Sequence, residues 1–247
     1  MSNRECCVII PVYRELPTEN EQFAIRNCVG RLGDEFDIVV IAPADTNIDF
    51  YRSHYKTTNC VNMKDSLWKS VDRNIFPNYN RMMQSVKFYK MFLDYSYILI
   101  CQPDALILQG KRELKRFIKM GYDYIGGRFH KDYPVIAAPK MWGYKFYPSL
   151  RKKEFLCGNG GLSLRKVRSS LELVNRYRLF TAGEEDIFFS YFKSKNFLTA
   201  SIEVAESFAL NNDSIELFLR GRRPFGLHKW EERYPRLLED FKLIFKS

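Results

Sequence analysis

The stretch Tyr97-Ile-Leu-Ile-Cys-Gln-Pro-Asp-Ala-Leu-Ile-Leu108 decides the fold. One apolar run enters Gln102-Pro103-Asp104 and a second leaves it. A short apolar run without alternation fits a strand buried on both faces, as in a mostly parallel sheet. Pro103 lacks an N–H and fixes its own φ, so the strand should break or turn there. Asp104 is then presented at the carboxyl end of a central strand, where open α/β sheets place their ligands. A carboxylate in that position is costly unless it is solvated, paired or bound to a metal. The alternative is a strand-ending turn with Asp as its hydrogen-bonding residue.

The flanking chain repeats a β-α-β rhythm. Toward the N-terminus, 6–13 reads as a buried strand closed by Pro11, 19–32 as a helix stopped by Gly33, and 36–43 as a second strand. Residues 45–55 read as a loop or short helix, 56–63 as a weaker strand and 80–92 as one amphipathic helix. Toward the C-terminus come a basic helix over 111–120, a strand over 122–127 and a long loop over 128–153. A glycine-dense turn then leads into an alternating strand ending near Arg165. Helices over 166–177 and 187–195, a strand over 201–210, a loop carrying His228 and a charged helix to the end complete the chain. The repeat argues for right-handed crossovers in a parallel sheet. With no internal repeat or linker, a single domain is expected.

At 247 residues and 46% hydrophobic composition the chain can bury a substantial core. Its net charge of +10 points to anionic partners: nucleic acid, an anionic membrane or phosphorylated substrates. The positive residues are scattered, and the sequence lacks helix-turn-helix, RNP and Cys/His signatures, which argues against nucleic acid. The six cysteines form no CxxC pair, and Cys6, Cys7 and Cys101 lie in apolar runs. They read as buried thiols of a reducing compartment. No signal peptide and no apolar run of roughly 18 residues is visible. The expected location is the cytoplasm, with possible peripheral contact on the inner face of an anionic membrane.

Four further stretches could carry chemistry. Gly158-Asn-Gly-Gly161 permits positive φ and close backbone approach. It is neither a Walker nor a Rossmann loop, and it could equally be a tight turn or bulge. Glu184-Glu185-Asp186 either complements a helix dipole or poises a general base. His228, within Pro224-Phe-Gly-Leu-His-Lys-Trp230, is either structural or a ligand, whereas His54 and His130 have no recognisable context. Tyr79-Asn80-Arg81 places a cation at the expected start of a helix, unfavourable for the dipole. That arrangement suits an anionic partner or a surface salt bridge.

Taken in order, these stretches resemble the GT-A fold glycosyltransferases. More closely, they resemble a bacterial and fungal glycosyltransferase-like family long catalogued as a domain of unknown function. The resemblance rests on the Gln102-x-Asp104-Ala105 turn, Gly158-Asn-Gly-Gly-x-Ser-Leu-Arg165, Glu185-Asp186-x-Phe188, Pro224-Phe-Gly-x-His228, Tyr79-Asn80-Arg81 and Asp123-Tyr-Ile-Gly126. It implies a mixed, mostly parallel sheet flanked by helices, with a nucleotide-binding half over about 1–110 and an acceptor half over about 111–247. It further implies a hexosyltransferase acting on a nucleotide-sugar, UDP-sugar favoured, and on a glycan or lipid-linked glycan acceptor in bacterial surface polysaccharide synthesis. Asp186 would be the general base of an inverting reaction, and Glu185 would position donor or acceptor sugar. Asp104 would bind a divalent cation, Mn²⁺ or Mg²⁺, or the sugar-nucleotide itself, and His228 would complete the metal site. Gln102, Gly160 and Gly161 would line the donor pocket, Pro11, Val12 and Tyr13 would meet the nucleotide base, and Arg81 would contact phosphate. Gln102 stands where the usual Asp-x-Asp turn has its first carboxylate. A non-catalytic glycan- or nucleotide-binding module on the same fold is the alternative.

Overall fold

The structure is a computed structural model that describes residues 4–64, 68, 75–128, 157–178, 184–191, 196–211 and 215–232. The first half contains β1 (Arg4–Pro11), α1 (Glu19–Leu32), β2 (Asp37–Ala42), α2 (Asp49–His54), β3 (Asn59–Asn62), α3 (Ile75–Met83), α4 (Val86–Lys90) and β4 (Tyr95–Cys101). Beyond the Pro103 turn follow β5 (Ala105–Ile107), α5 (Lys111–Lys119), β6 (Tyr124–Arg128), β7 (Cys157–Lys166), α6 (Val167–Arg176) and α7 (Glu185–Tyr191). The described chain ends with α8 (Ile202–Phe208), β8 (Ala209–Asn211), α9 (Ile215–Leu219), β9 (Gly226–His228) and a 3-10 turn at Trp230–Glu232.

Pro103 separates two strands that belong to different sheets. The main sheet has the order β3-β2-β1-β4-β7-β6, and the small one β5-β9-β8. Strands β1 to β4 are mutually parallel, whereas β7 runs antiparallel to both β4 and β6. The sheet is therefore mixed and mostly parallel, as expected. Every residue from Cys6 to Pro11 is buried, which is why this strand reads as unbroken apolar sequence. One apolar layer packs α1, α2 and α5 on one face, through Ile25, Leu32, Tyr51, Leu114 and Phe117. The other packs α3, α4, α6 and α7 through Met82, Phe88, Val174 and Phe189. Helix α1 starts at a capping box, Thr18 accepting from Glu21 N and Glu21 accepting from Thr18 N.

Four expectations are corrected. The helix over 80–92 is two helices, because Ser85 is extended and its hydroxyl caps α4 by accepting from Phe88 N at 3.1 Å. Arg81 therefore lies in the last turn of α3, where a cation suits the dipole, and that argument for an anionic partner falls away. Residues 202–208 form a helix rather than a strand, with Ser201 accepting from Val204 N and Ala205 and Phe208 buried. The glycine-dense segment is not a separate turn but the start of β7 itself, and the alternative for it, a bulge, is present against β6 at Gly126 and Gly127. His228 is not in a loop but in β9, paired with Ala105.

The long loop beyond Arg128, His130, the end of the helix expected over 187–195 and the charged C-terminal helix lie outside the described residues. Among the described residues no helix is long and apolar enough to cross a membrane. Cys6, Cys7, Cys28, Cys60 and Cys101 are buried free thiols.

Candidate functional site

The site begins where β4 ends. Gln102 N donates to Gly161 O at 2.8 Å, extending the β4–β7 ladder one residue beyond the strand. Pro103 then turns the chain, and Ala105 pairs with His228 in the small sheet. Two backbone paths thus converge on one corner. His228 Nε2 lies 3.2 Å from Gln102 Oε1 and 3.3 Å from Asp104 Oδ1. Burial works to raise the Asp104 carboxyl, but His228 and then Lys229 outweigh it and hold the group below its ordinary value. His228 is buried, while the Asp104 side chain keeps 37% exposure and so faces both imidazole and solvent. The absence of a side chain at position 161 makes this packing possible. A Cβ on Gly161 would sit 1.9 Å from His228 Nε2.

The neighbouring glycine serves a second cluster. A Cβ on Gly160 would lie 2.0 Å from Glu185 Oε1 and 3.2 Å from Arg165 Nη2. Arg165 is wholly buried, and it donates to Glu185 Oε2 at 2.6 Å, Ser163 Oγ at 3.0 Å and Tyr89 Oη at 3.3 Å. Its guanidinium also stacks over Phe189, 4.8 Å from the ring centre. Burial opposes its charge, but the Glu185 carboxylate facing it holds the guanidinium above its ordinary value. Arg165→Lys keeps the charge but cannot reach all three acceptors from one ammonium. It is expected to cost about 1–2 kcal/mol, read as a lower urea midpoint at unchanged slope.

Asp186 follows on the first turn of α7. Its Oδ1 accepts from Ile187 N at 2.7 Å and its Oδ2 from Gly160 N at 3.4 Å. Burial, then Glu185, then Glu184 push this carboxyl up to about 8, against the pull of those two N–H groups. It is only partly exposed. A carboxyl with these surroundings can take a proton from a bound hydroxyl near neutral pH.

Tyr13 stands between the two clusters. Its phenol is raised first by burial and then by Tyr79, Asp104 and Glu185. The ring packs edge-on to Trp68 and Tyr79, with centroids at 5.6 and 5.8 Å. Pro11 and Val12 are buried at the end of β1, so Tyr13 is the residue there with side-chain surface to offer. Arg81 is exposed on α3, one residue beyond Asn80. The structure thus groups Gln102, Asp104, Gly161 and His228, and separately Gly160, Glu185 and Asp186.

Sequence reasoning gave no role to Asn80, Arg165 or Lys229. Asn80 Oδ1 accepts from Glu185 N at 3.3 Å and so fixes the start of α7. Lys229 N donates to Asp104 O at 3.1 Å. Arg165 had a signal, since a lone Arg closing an apolar strand needs a buried counter-charge. Asn80 had only its place in the Tyr79-Asn80-Arg81 motif, and Lys229 had none.

The donor set fits a divalent cation in part. Asp104 Oδ1 is buried and has no hydrogen-bond partner among the described residues. Adjacent ligands of a cation bound at roughly 2.1 Å lie about 3 Å apart, close to the spacings of Gln102, Asp104 and His228. Among the described residues no group of three or more His, Cys, Asp and Glu is assembled. Any further ligands would come from water and a substrate phosphate.

Comparison with known proteins agrees with this architecture. Residues 62–228 match a family model described as "Protein of unknown function (DUF5672)". No curated protein matches the chain. Among solved structures the chain is similar to the galactosyltransferase LgtC in complex with donor and acceptor sugar analogues. There the TM-score is 0.55 at 10% identity, covering 90% of this chain and 86% of that one. Mouse xyloside xylosyltransferase 1 gives 0.52 at 10% identity, covering 91% and 97%. The S. cerevisiae mannosyltransferase Ktr4p in complex with GDP gives 0.51 at 10% identity, covering 77% and 67%. The likeness at these identities is one of fold, and the fold is that of the GT-A glycosyltransferases.

Proposed function

The chain belongs to the DUF5672 family of proteins of unknown function, and on that footing we propose that it is a glycosyltransferase moving a hexose from a nucleotide-sugar to a glycan acceptor. The observation that carries this reading is the pair of clusters on adjacent glycines. Gly161 admits His228 beside Gln102 and Asp104, and Gly160 admits Glu185 and the N–H contact to Asp186. One corner suits a phosphate-bound cation, and the other suits a proton acceptor.

In the proposed reaction the acceptor hydroxyl gives its proton to an Asp186 carboxylate oxygen while the hydroxyl oxygen bonds to the anomeric carbon. The bond from that carbon to the diphosphate breaks, its electron pair leaving with the nucleoside diphosphate, and the centre inverts. Asp104 and His228, with Gln102, would hold a Mn²⁺ or Mg²⁺ ion, which when bound offsets charge on the leaving diphosphate. Glu185 keeps Oε2 on Arg165 and leaves Oε1 toward the Gly160 cradle, where a sugar hydroxyl would be read. Tyr13 would meet the nucleotide base at the Pro11-Val12 strand end, and Arg81 would serve phosphate.

We place the donor half over about 1–110 and the acceptor half over about 111–247. A UDP-sugar, a lipid-linked acceptor at an anionic membrane and a role in bacterial lipopolysaccharide or capsule synthesis complete the reading. The second reading, a binding module without catalysis, is favoured by Gln102 in place of a carboxylate.

Incubation with UDP-, GDP- and dTDP-sugars and Mn²⁺ separates the two. Release of nucleoside diphosphate from at least one donor, lost when Mn²⁺ is chelated, is the expected result. Thermal stabilisation by a donor with no turnover would select the binding module.

A further inference from the structure

A buried ion pair underlies the second cluster. Arg165 sits in β7 between Ile98 of β4 and Tyr124 of β6, and it reaches Glu185 Oε2 at 2.6 Å. The two side chains keep 0% and 5% exposure. An apolar pair of similar volume, packed on Phe189 and Tyr124, would join β7 to α7 as well or better, because two desolvated charges rarely return the cost of burying them. Stability therefore gives no reason for charge at this place.

Geometry gives one. Glu185 Oε1 lies 2.0 Å from where a Cβ on Gly160 would stand, and Gly160 N donates to Asp186 Oδ2 at 3.4 Å. Both carboxyls thus converge on one residue that has no side chain to part them. Burial raises the Glu185 carboxyl, and Arg165 is the chief group opposing that rise and favouring the anion. Glu185 is in turn, after burial, the largest influence raising Asp186, ahead of Glu184. The Tyr13, Tyr79, Tyr89 and Tyr124 phenols also feel the Glu185 charge, but burial drives all four up and they stay neutral. His228 acts on Glu185 from the neighbouring corner.

We propose that Arg165 is a positioning residue for proton transfer: it fixes Glu185 as an anion beside Asp186, and that anion strengthens Asp186 as the acceptor of the hydroxyl proton. The inference rests on the glycosyltransferase reading with Asp186 as its base. The proton passes from the acceptor hydroxyl to Asp186, and neither Glu185 nor Arg165 gives or takes one.

The test follows the Asp186 carboxyl by ¹³C NMR titration of the full chain, its signal identified by its loss in Asp186→Asn, alongside turnover against pH. Wild type is compared with Arg165→Lys, Glu185→Gln and the double variant Arg165→Met/Glu185→Met. Glu185→Gln and the double variant are expected to titrate about 1–2 pH units lower than wild type. The acid limb of turnover should move by the same amount, whatever the plateau rate. Arg165→Lys keeps the charge and should titrate with wild type even though its urea midpoint falls. The double variant removes both charges together, so it folds even where Glu185→Gln, with its stranded guanidinium, does not. An Asp186 midpoint unchanged in the double variant marks a structural pair, overturns this inference and leaves the glycosyltransferase reading intact. A midpoint that falls without the turnover limb following shows that Asp186 is not the base and overturns the inference with it. Wild type that turns over no UDP-, GDP- or dTDP-sugar overturns the glycosyltransferase reading and this inference together.

Discussion

Gly161→Ala is expected to lower turnover on the order of 100-fold and to weaken the response to Mn²⁺, although it adds one methyl group. The added Cβ would lie 1.9 Å from Nε2, 2.3 Å from Cε1 and 2.5 Å from Cδ2 of His228. No real contact is that short, so the ring or the strand must move. The ring has little room, being 3% exposed and carried on β9, whose backbone is tied to β5 and β8. The strand cannot yield easily either, since Gly161 O receives Gln102 N. The imidazole would therefore leave both Gln102 Oε1 and Asp104 Oδ1, and the three-donor corner would come apart. Overpacking of this kind costs about 1–3 kcal/mol of stability, so the variant should still fold. Measuring Mn²⁺ dependence and urea midpoint together separates the two effects. Near wild-type turnover with a lower midpoint would show that His228 is packing and nothing more.

Those two glycines also show what sequence reading could and could not reach. Gly158-Asn-Gly-Gly161 was legible as a place of close approach, but not as a strand. Glycines usually announce turns, and here they clear space for side chains that arrive from far along the chain. The Pro103 break was legible because a missing N–H is a local property, and it placed Asp104 correctly at the strand end. Residues 202–208 misled because Ile-Glu-Val-Ala-Glu-Ser-Phe satisfies both a two-residue and a helical spacing. The cap at Ser201 decides for helix. Asn80 is a different case. Its role is one hydrogen bond to Glu185 N, 105 residues away, and no local pattern encodes a partner at that separation.

The partition between the clusters follows from the same geometry. Gln102, Asp104 and His228 are held by strand ends, with backbone pairing on both sides. Glu185 is held by a buried ion pair and a helix cap. Rigid support on both sides leaves Asp104 and Asp186 as partly exposed carboxylates and Lys229 as an exposed cation at the two corners. Sites built on such elements hold reacting groups more tightly than sites on loops.

Asp186→Asn is the sharper test of the chemistry. Without the carboxylate, turnover is expected to fall by about 10²–10⁴, with donor diphosphate binding little changed. The pH profile gives an independent sign. A base must be deprotonated to act, and this carboxyl is pushed up to about 8 from a reference of 3.8. Wild-type turnover should therefore rise about tenfold per pH unit below that value and level off above it, while the residual rate of the variant should not follow this titration. Stability should run the other way. Because the folded carboxyl holds its proton more tightly than the unfolded one, its contribution to stability is fully present below about 4. That contribution is then lost as pH rises toward 8. Asparagine removes the charge that burial, Glu185 and Glu184 disfavour, so Asp186→Asn should melt higher than wild type at pH 8 and much closer to it at pH 4. Each kcal/mol recovered is worth about 2–4 °C in a chain of this size. A variant that loses activity and melts lower at pH 8 would mean that Asp186 chiefly caps α7 through Ile187 N and ties it to β7 through Gly160 N. A variant that is more stable and inactive is the outcome for a carboxyl whose unfavourable burial serves proton transfer.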